Sequence, residues 1–180
     1  MRDPVDRDRV VAFLEALGRS FHHPARILLS GGEGLVWRGL RGVTRDLDVA
    51  FEVDARWHGE WIRTLRDLIE RTHTSVEEAS PADFIPLPPG AAERAEFIGR
   101  FGSVEAFLYD PYSVALSKLS RGQSQDLEDV RSLLERGVLD RDELRRLFEA
   151  ILPAYGERAL RADPRRFRRS LDAVMGPPAA

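Results

Sequence analysis

The sequence predicts an α/β protein, with a mixed α/β core over residues 1–110 and a helical subdomain over residues 111–180 packed on that core. Three observations predict it. The short apolar run Ile27-Leu28-Leu29 lies between Pro24 and Ser30-Gly31-Gly32, and a run that short between such breakers reads as a buried strand. Leu47, Val49, Phe51 and Val53 alternate with Asp46, Asp48, Ala50 and Glu52, the period of a strand with one apolar and one polar face. From Asp110-Pro111 onward, apolar residues recur at helical spacing.

Taken in order, Asp3-Pro4 is expected to open the first helix as N-cap and first-turn proline. Val10, Phe13, Leu14 and Leu17 form its apolar stripe, and it ends near Gly18. Strand Ile27–Leu29 follows, then two helical turns over Glu33–Leu40 and a loop marked by Gly39 and Gly42. The alternating strand covers 44–53, and Asp54 caps a helix with Trp57, Trp61, Leu65, Leu68 and Ile69 inward. Residues 80–90 hold four of the eleven prolines and read as an extended connection or edge. Val104, Ala106 and Leu108 predict another strand. Helices are expected over 111–120, from Ser124 to a C′ glycine at Gly137, from Asp140 with Glu143 at capping-box spacing, and from Asp163-Pro164.

Composition narrows the class. At 180 residues, the chain suits one domain or one domain with a helical annex. It has no cysteine, which excludes disulfides, thiolate metal sites and cysteine nucleophiles. No apolar run has the length of a membrane span, and Met1-Arg2-Asp3-Pro4 does not read as a signal peptide, so a cytoplasmic protein without membrane partners is expected. With a net charge of −3, any nucleic-acid partner must meet a local patch. The lack of asparagine fits a thermophile and equally a GC-rich coding bias. Of 27 cationic residues, 26 are arginine and one is lysine, Lys118.

The candidate chemistry sits on the first two strands. In a strand, residues i and i+2 share a face, so Asp46 and Asp48 are expected to project side by side. Adjacent carboxylates repel unless a cation sits between them or one is protonated. A hard divalent ion, Mg²⁺ first with Mn²⁺ as the alternative, is the expected occupant. The Ser30-Gly31-Gly32 turn supplies backbone that can approach an anion closely. A carboxylate pair facing such a turn suits a nucleoside triphosphate, NTP.

Strand, Gly-Gly, helix, thirteen residues and Asp46-Leu47-Asp48-Val49 together resemble the signature of the nucleotidyltransferase superfamily. Arg41-Gly42-Val43-Thr44-Arg45-Asp46 is similar to the Arg-x-x-Thr-x-Asp lead-in of its bacterial branches. The stretch Asp110-Pro111-Tyr112, Ser117-Lys118-Leu119, Arg121 and Asp126-Leu127-Glu128-Asp129 resembles the AbiEii/MenT-like branch, and nearer still an uncharacterised bacterial set.

This resemblance implies a nucleotidyltransferase-like mixed sheet and transfer of a nucleoside monophosphate to a hydroxyl acceptor. It implies metal and catalytic roles for Asp46 and Asp48, with Lys118 and Asp126 or Asp129 joining the site. Ser30, Gly31, Gly32, Arg41 and Thr44 would bind the nucleotide, and Glu105 is the candidate third carboxylate. It further implies tRNA or a protein as acceptor, and a toxin–antitoxin setting with a cognate partner. A non-catalytic binding module of the same fold is the alternative. Two departures stand out. Gln125 occupies the place of an arginine, and Glu33 follows the glycines, where a carboxylate repels a triphosphate unless it turns away.

Bland readings remain for other features. Arg41 fits a phosphate clamp or an ordinary ion pair. His22, His23, His58 and His73 lack metal-ligand spacing. The 165–169 arginines fit a charged helix face better than a grip on RNA.

Overall fold

The structure, a computed structural model, describes residues 4–157 and 163–176. It divides into two compact units, Met1–Ser80 with Ala95–Tyr109, and Pro81–Arg94 with Asp110–Ala180. The proline-rich 81–94 segment, expected in the first half, therefore groups with the helices. It carries a 3-10 turn at Pro81–Asp83 that packs on helix Pro111–Arg121, so it is not a sheet edge.

The first unit is a five-stranded mixed sheet built from β1 (Ala25–Leu29), β2 (Leu47–Val53), β3 (Val76–Glu78), β4 (Glu96–Phe101) and β5 (Val104–Leu108). Their order is β3-β2-β1-β5-β4. β1 runs antiparallel to β2 and parallel to β5, β2 runs parallel to β3, and β4 runs antiparallel to β5. One face buries Ile27, Leu29, Leu47, Val49, Val104, Ala106 and Leu108. Against it lie Phe13, Leu14 and Leu17 of α1 (Arg7–Ser20), and Trp61, Leu65 and Leu68 of α3 (His58–Thr72). Helix α1 crosses β4 so closely that a Cβ on Gly18 would stand 2.9 Å from the Phe101 Cβ.

Helix α1 begins later than the sequence predicts. Val5 exchanges backbone hydrogen bonds of 2.8 Å with Thr44 in both directions, so the chain is extended there. Asp6 caps the helix instead, accepting from the Arg9 amide at 2.9 Å, a contact worth about 1 kcal/mol. Asp3 lies outside the described residues. Helix α2 (Glu33–Trp37) is shorter than the two turns expected, ending at Arg38 and Gly39, whose φ is +70°. Trp61 is buried in the core, whereas Trp57 stacks on His23 at 3.6 Å and is only half-buried.

The second unit holds α4 (Pro111–Arg121), α5 (Ser124–Glu135), α6 (Arg141–Glu157) and α7 (Pro164–Met175). Leu116, Leu119, Val130, Leu144, Leu147, Phe148, Phe167 and Leu171 are buried. Phe148 and Tyr155 pack on Phe167 at 4.5 and 4.6 Å between ring centres. Asp110, Asp140 and Asp163 each accept from a first-turn amide. Gly137 follows α5 at φ +69°, the conformation a C′ glycine supplies without strain. On α7, Arg168 pairs with Glu149 and Arg166 donates to the Arg121 carbonyl, as an ordinary charged face does. No described helix is long and apolar enough to cross a membrane.

Candidate functional site

The site in the first unit grows from the end of β1. There the Ser30 amide donates to the Asp48 carbonyl at 2.8 Å, continuing the β1–β2 pairing. The Ser30 hydroxyl lies 3.0 Å from the same carbonyl and 2.8 Å from that of Ala79. It is 9 % exposed and engaged with backbone, so it fastens the turn to β2 and is not turned toward a ligand.

Gly31 and Gly32 are needed for close approach rather than for unusual dihedrals. Gly32 has φ −63°, and neither residue is among the positive-φ glycines. A Cβ on Gly31 would stand 2.7 Å from both the Cβ and the carboxylate carbon of Asp48. A Cβ on Gly32 would stand 2.6 Å from the Thr44 hydroxyl and 2.9 Å from Arg41 Nη1. Real Cβ atoms do not tolerate such approach. The fold thus gathers Gly31, Gly32, Arg41, Thr44 and Asp48 around one turn.

Beneath the turn lies Glu33, with no exposed surface. Its Oε1 accepts from the Gly31 amide at 2.5 Å, and its Oε2 has no hydrogen-bond partner among the described residues. Burial disfavours the charged carboxylate, and the nearby Asp48 charge adds to that. Against the opposing Gly31 hydrogen bond, these push the Glu33 carboxyl up from its ordinary 4.5 to about 8. Its acid is therefore withdrawn from solvent and neutral at pH 7.

Two other acids stand differently from expectation. Strand β2 starts at Leu47, so Asp46 occupies a bend just before it. The strand's alternation sets the direction of Asp48 but not that of Asp46. Glu105 is aligned with Arg26, which is aligned with Glu52. That row lies four residues beyond Asp48, about 13 Å along the strands. There Glu105 pairs with Arg100 and Arg26 with Glu52, lining a cavity of about 700 Å³ with Asp54 and Ser103. Glu105 shares Asp48's face of the sheet, but the register carries it to the far end, away from the Gly-Gly turn.

Lys118, Asp126 and Asp129 form a cluster inside the second unit, all about 5 % exposed or less. Lys118 Nζ donates to Asp129 Oδ2 at 2.8 Å and to Asp126 Oδ1 at 3.4 Å. Arg121 donates to both oxygens of Asp126, at 2.7 and 3.1 Å, and Gln125 donates to Asp129 at 3.2 Å. Arg121 thus supplies the cation that Gln125 lacks. Two cations face two carboxylates, joining α4 to α5.

The residues present fit a divalent cation in one limited sense. No group of three or more His, Asp or Glu converges among the described residues. Mg²⁺, however, commonly takes one or two carboxylates and fills its remaining positions with water and substrate phosphate. Asp48, standing against bare glycine backbone, would be one such carboxylate, and Asp46, in the bend before the strand, would be the second. The sequence reading missed Glu33 and Arg121 as members of these clusters. The signal for Glu33 was an acid directly after paired glycines, and for Arg121 a spacing of three from Lys118.

Residues 9–164 match the model of a family described as a nucleotidyltransferase of unknown function, DUF6036. The mixed sheet and flanking helices agree with that fold. No curated protein and no solved structure matches the chain.

Proposed function

The chain belongs to the DUF6036 nucleotidyltransferase family, and on that premise we propose that it is a Mg²⁺-dependent nucleotidyltransferase. The acceptor's hydroxyl oxygen forms a bond to the α-phosphorus of an NTP. The bond from that phosphorus to the bridging oxygen breaks, pyrophosphate leaves, and the hydroxyl proton is lost. The observation that carries this reading is the Asp48 carboxylate set against the Gly31 α-carbon, with Thr44 and Arg41 against Gly32. Asp46 and Asp48 would hold the cation, which when bound neutralises phosphate charge and lowers the pKa of the attacking hydroxyl. Gly31 and Gly32 keep side chains out of the phosphate's path, and Arg41 and Thr44 offer donors beside it. Lys118, Asp126 and Asp129 serve as a balanced ion-pair cluster of the helical unit.

The AbiEii/MenT-like resemblance of residues 109–130 supports tRNA or a protein as the acceptor, and a toxin–antitoxin setting. The alternative, a binding module without catalysis, is favoured by the Gly31 amide already holding Glu33. Incubating the protein with Mg²⁺ and each of four α-labelled NTPs, with and without total tRNA, separates the two. Label on RNA or protein, lost in Asp46→Asn and Asp48→Asn, is expected. No label in any mixture favours the binding module, and label undiminished in both variants contradicts the site.

A further inference from the structure

Glu33 is the feature that the proposed reaction leaves unused. It has no exposed surface, and half of its carboxyl group has no partner among the described residues. Such an atom costs folding free energy, so stability alone does not account for it. Its other oxygen, however, holds the amide of Gly31 at 2.5 Å. Gly31 is also the residue whose α-carbon abuts Asp48, with only 2.7 Å from a Cβ there to the carboxylate carbon. Ser30, one residue earlier, is bonded through its amide to the backbone of Asp48. The turn is therefore pinned on one side by Ser30 and on the other by Glu33, and Asp48 rests on the glycine between them.

We propose that Glu33 is the positioning residue of the candidate cation site. As a buried hydrogen-bond acceptor it fixes the Gly31 amide, and so sets the surface against which the Asp48 carboxylate stands. The inference rests on the reading of Asp48 as a cation ligand. In this role Glu33 touches neither cation nor nucleotide. What matters is an acceptor oxygen at the right reach, not a negative charge.

Two substitutions separate reach from charge. Glu33→Gln keeps a carbonyl oxygen at the same distance and removes the charge. Glu33→Asp keeps the carboxyl and withdraws it by one methylene from Gly31. Mn²⁺ binding to the full chain, measured by the loss of the free-ion electron paramagnetic resonance signal, reads the site without catalysis, and circular dichroism reports the fold. The expected result is wild-type Mn²⁺ affinity in Glu33→Gln and about a tenfold loss in Glu33→Asp, the size usual for groups that orient a metal ligand. Glu33→Gln weakened tenfold, or Glu33→Asp folded with wild-type affinity, overturns the proposal. If Glu33→Asp does not fold, Glu33→Ala, which removes the acceptor, takes its place, with the same tenfold loss expected and wild-type affinity overturning the proposal. Asp48→Asn run alongside isolates the premise. Wild-type Mn²⁺ affinity in that variant removes the cation-site reading itself, whereas loss there with an unaffected Glu33→Asp removes only the role of Glu33.

Discussion

The two polar clusters of this protein differ in how completely they satisfy themselves. In the helical unit, Lys118 and Arg121 meet Asp126 and Asp129 in a buried network with opposite charges in equal number. At the Gly-Gly turn, by contrast, one carboxyl is buried with an oxygen that has no partner among the described residues, and another is crowded against glycine. Balanced buried networks hold structure together, and breaking one partner costs more than the pair contributes. Incomplete satisfaction of a buried polar group points to a positional demand on it. The difference teaches that the sole lysine, conspicuous in the sequence, is the better satisfied group, and that Glu33, which the sequence marks only as a departure after the glycines, is the anomalous one.

Substitutions sharpen this contrast. The largest expected effect on folding is at Lys118. Lys118→Met takes the buried ammonium away from the Asp126 and Asp129 carboxylates, and stability is expected to fall by about 3–5 kcal/mol in urea titration. A loss under 1 kcal/mol would break the picture of a structural cluster. Gly31→Ala is expected to cost about 1–3 kcal/mol by overpacking, because its methyl meets the Asp48 carboxylate. That variant should also lose Mn²⁺ binding, which Lys118→Met, where folded, retains.

Glu33 makes a pH-dependent contribution of opposite sign to an ion-paired acid. Unfolded, its carboxyl ionises above about 4.5, while the folded state keeps the proton to about 8. Between those values the native state binds more protons, so stability falls as pH rises, by up to about 1.4 kcal/mol per pH unit. Glu33→Gln lacks this term. Its stability relative to wild type, measured without divalent metal at pH 5 and pH 8, is expected to grow by a few kcal/mol. The smallest effect is at Glu105. Glu105→Gln is expected to leave nucleotidyl transfer unchanged and stability within about 0.5 kcal/mol, because its pairing with Arg100 is exposed. A large loss of transfer would return Glu105 to the site.

Much of this was legible in the sequence for a physical reason. The alternation over 47–53 is a period-two signal, and half-buried strands produce one. The capping aspartates at 110, 140 and 163 are local chemistry, fixed within three residues. Strands β3 and β4 were not legible. Val76-Glu77-Glu78 is three residues long, and β4 shifts register between Phe97 and Gly99, which destroys alternation. Glu105 shows the same limit in the site. Its face follows from alternation, but its row depends on register with β1, which no local pattern encodes. Burial of Glu33 was equally hidden, since a surface-type residue on a five-residue helix carries no sign of which way it turns.

The central claim, that Asp48 and the Gly-Gly turn form a cation and phosphate site, is tested most directly by melting temperature with Mg²⁺ and NTP added singly and together. Ligands that bind only the folded state stabilise it by mass action. The account predicts a rise in wild type when both are present, larger than with either alone, and none in Asp48→Asn. No rise with any NTP, or an equal rise in Asp48→Asn, would contradict it.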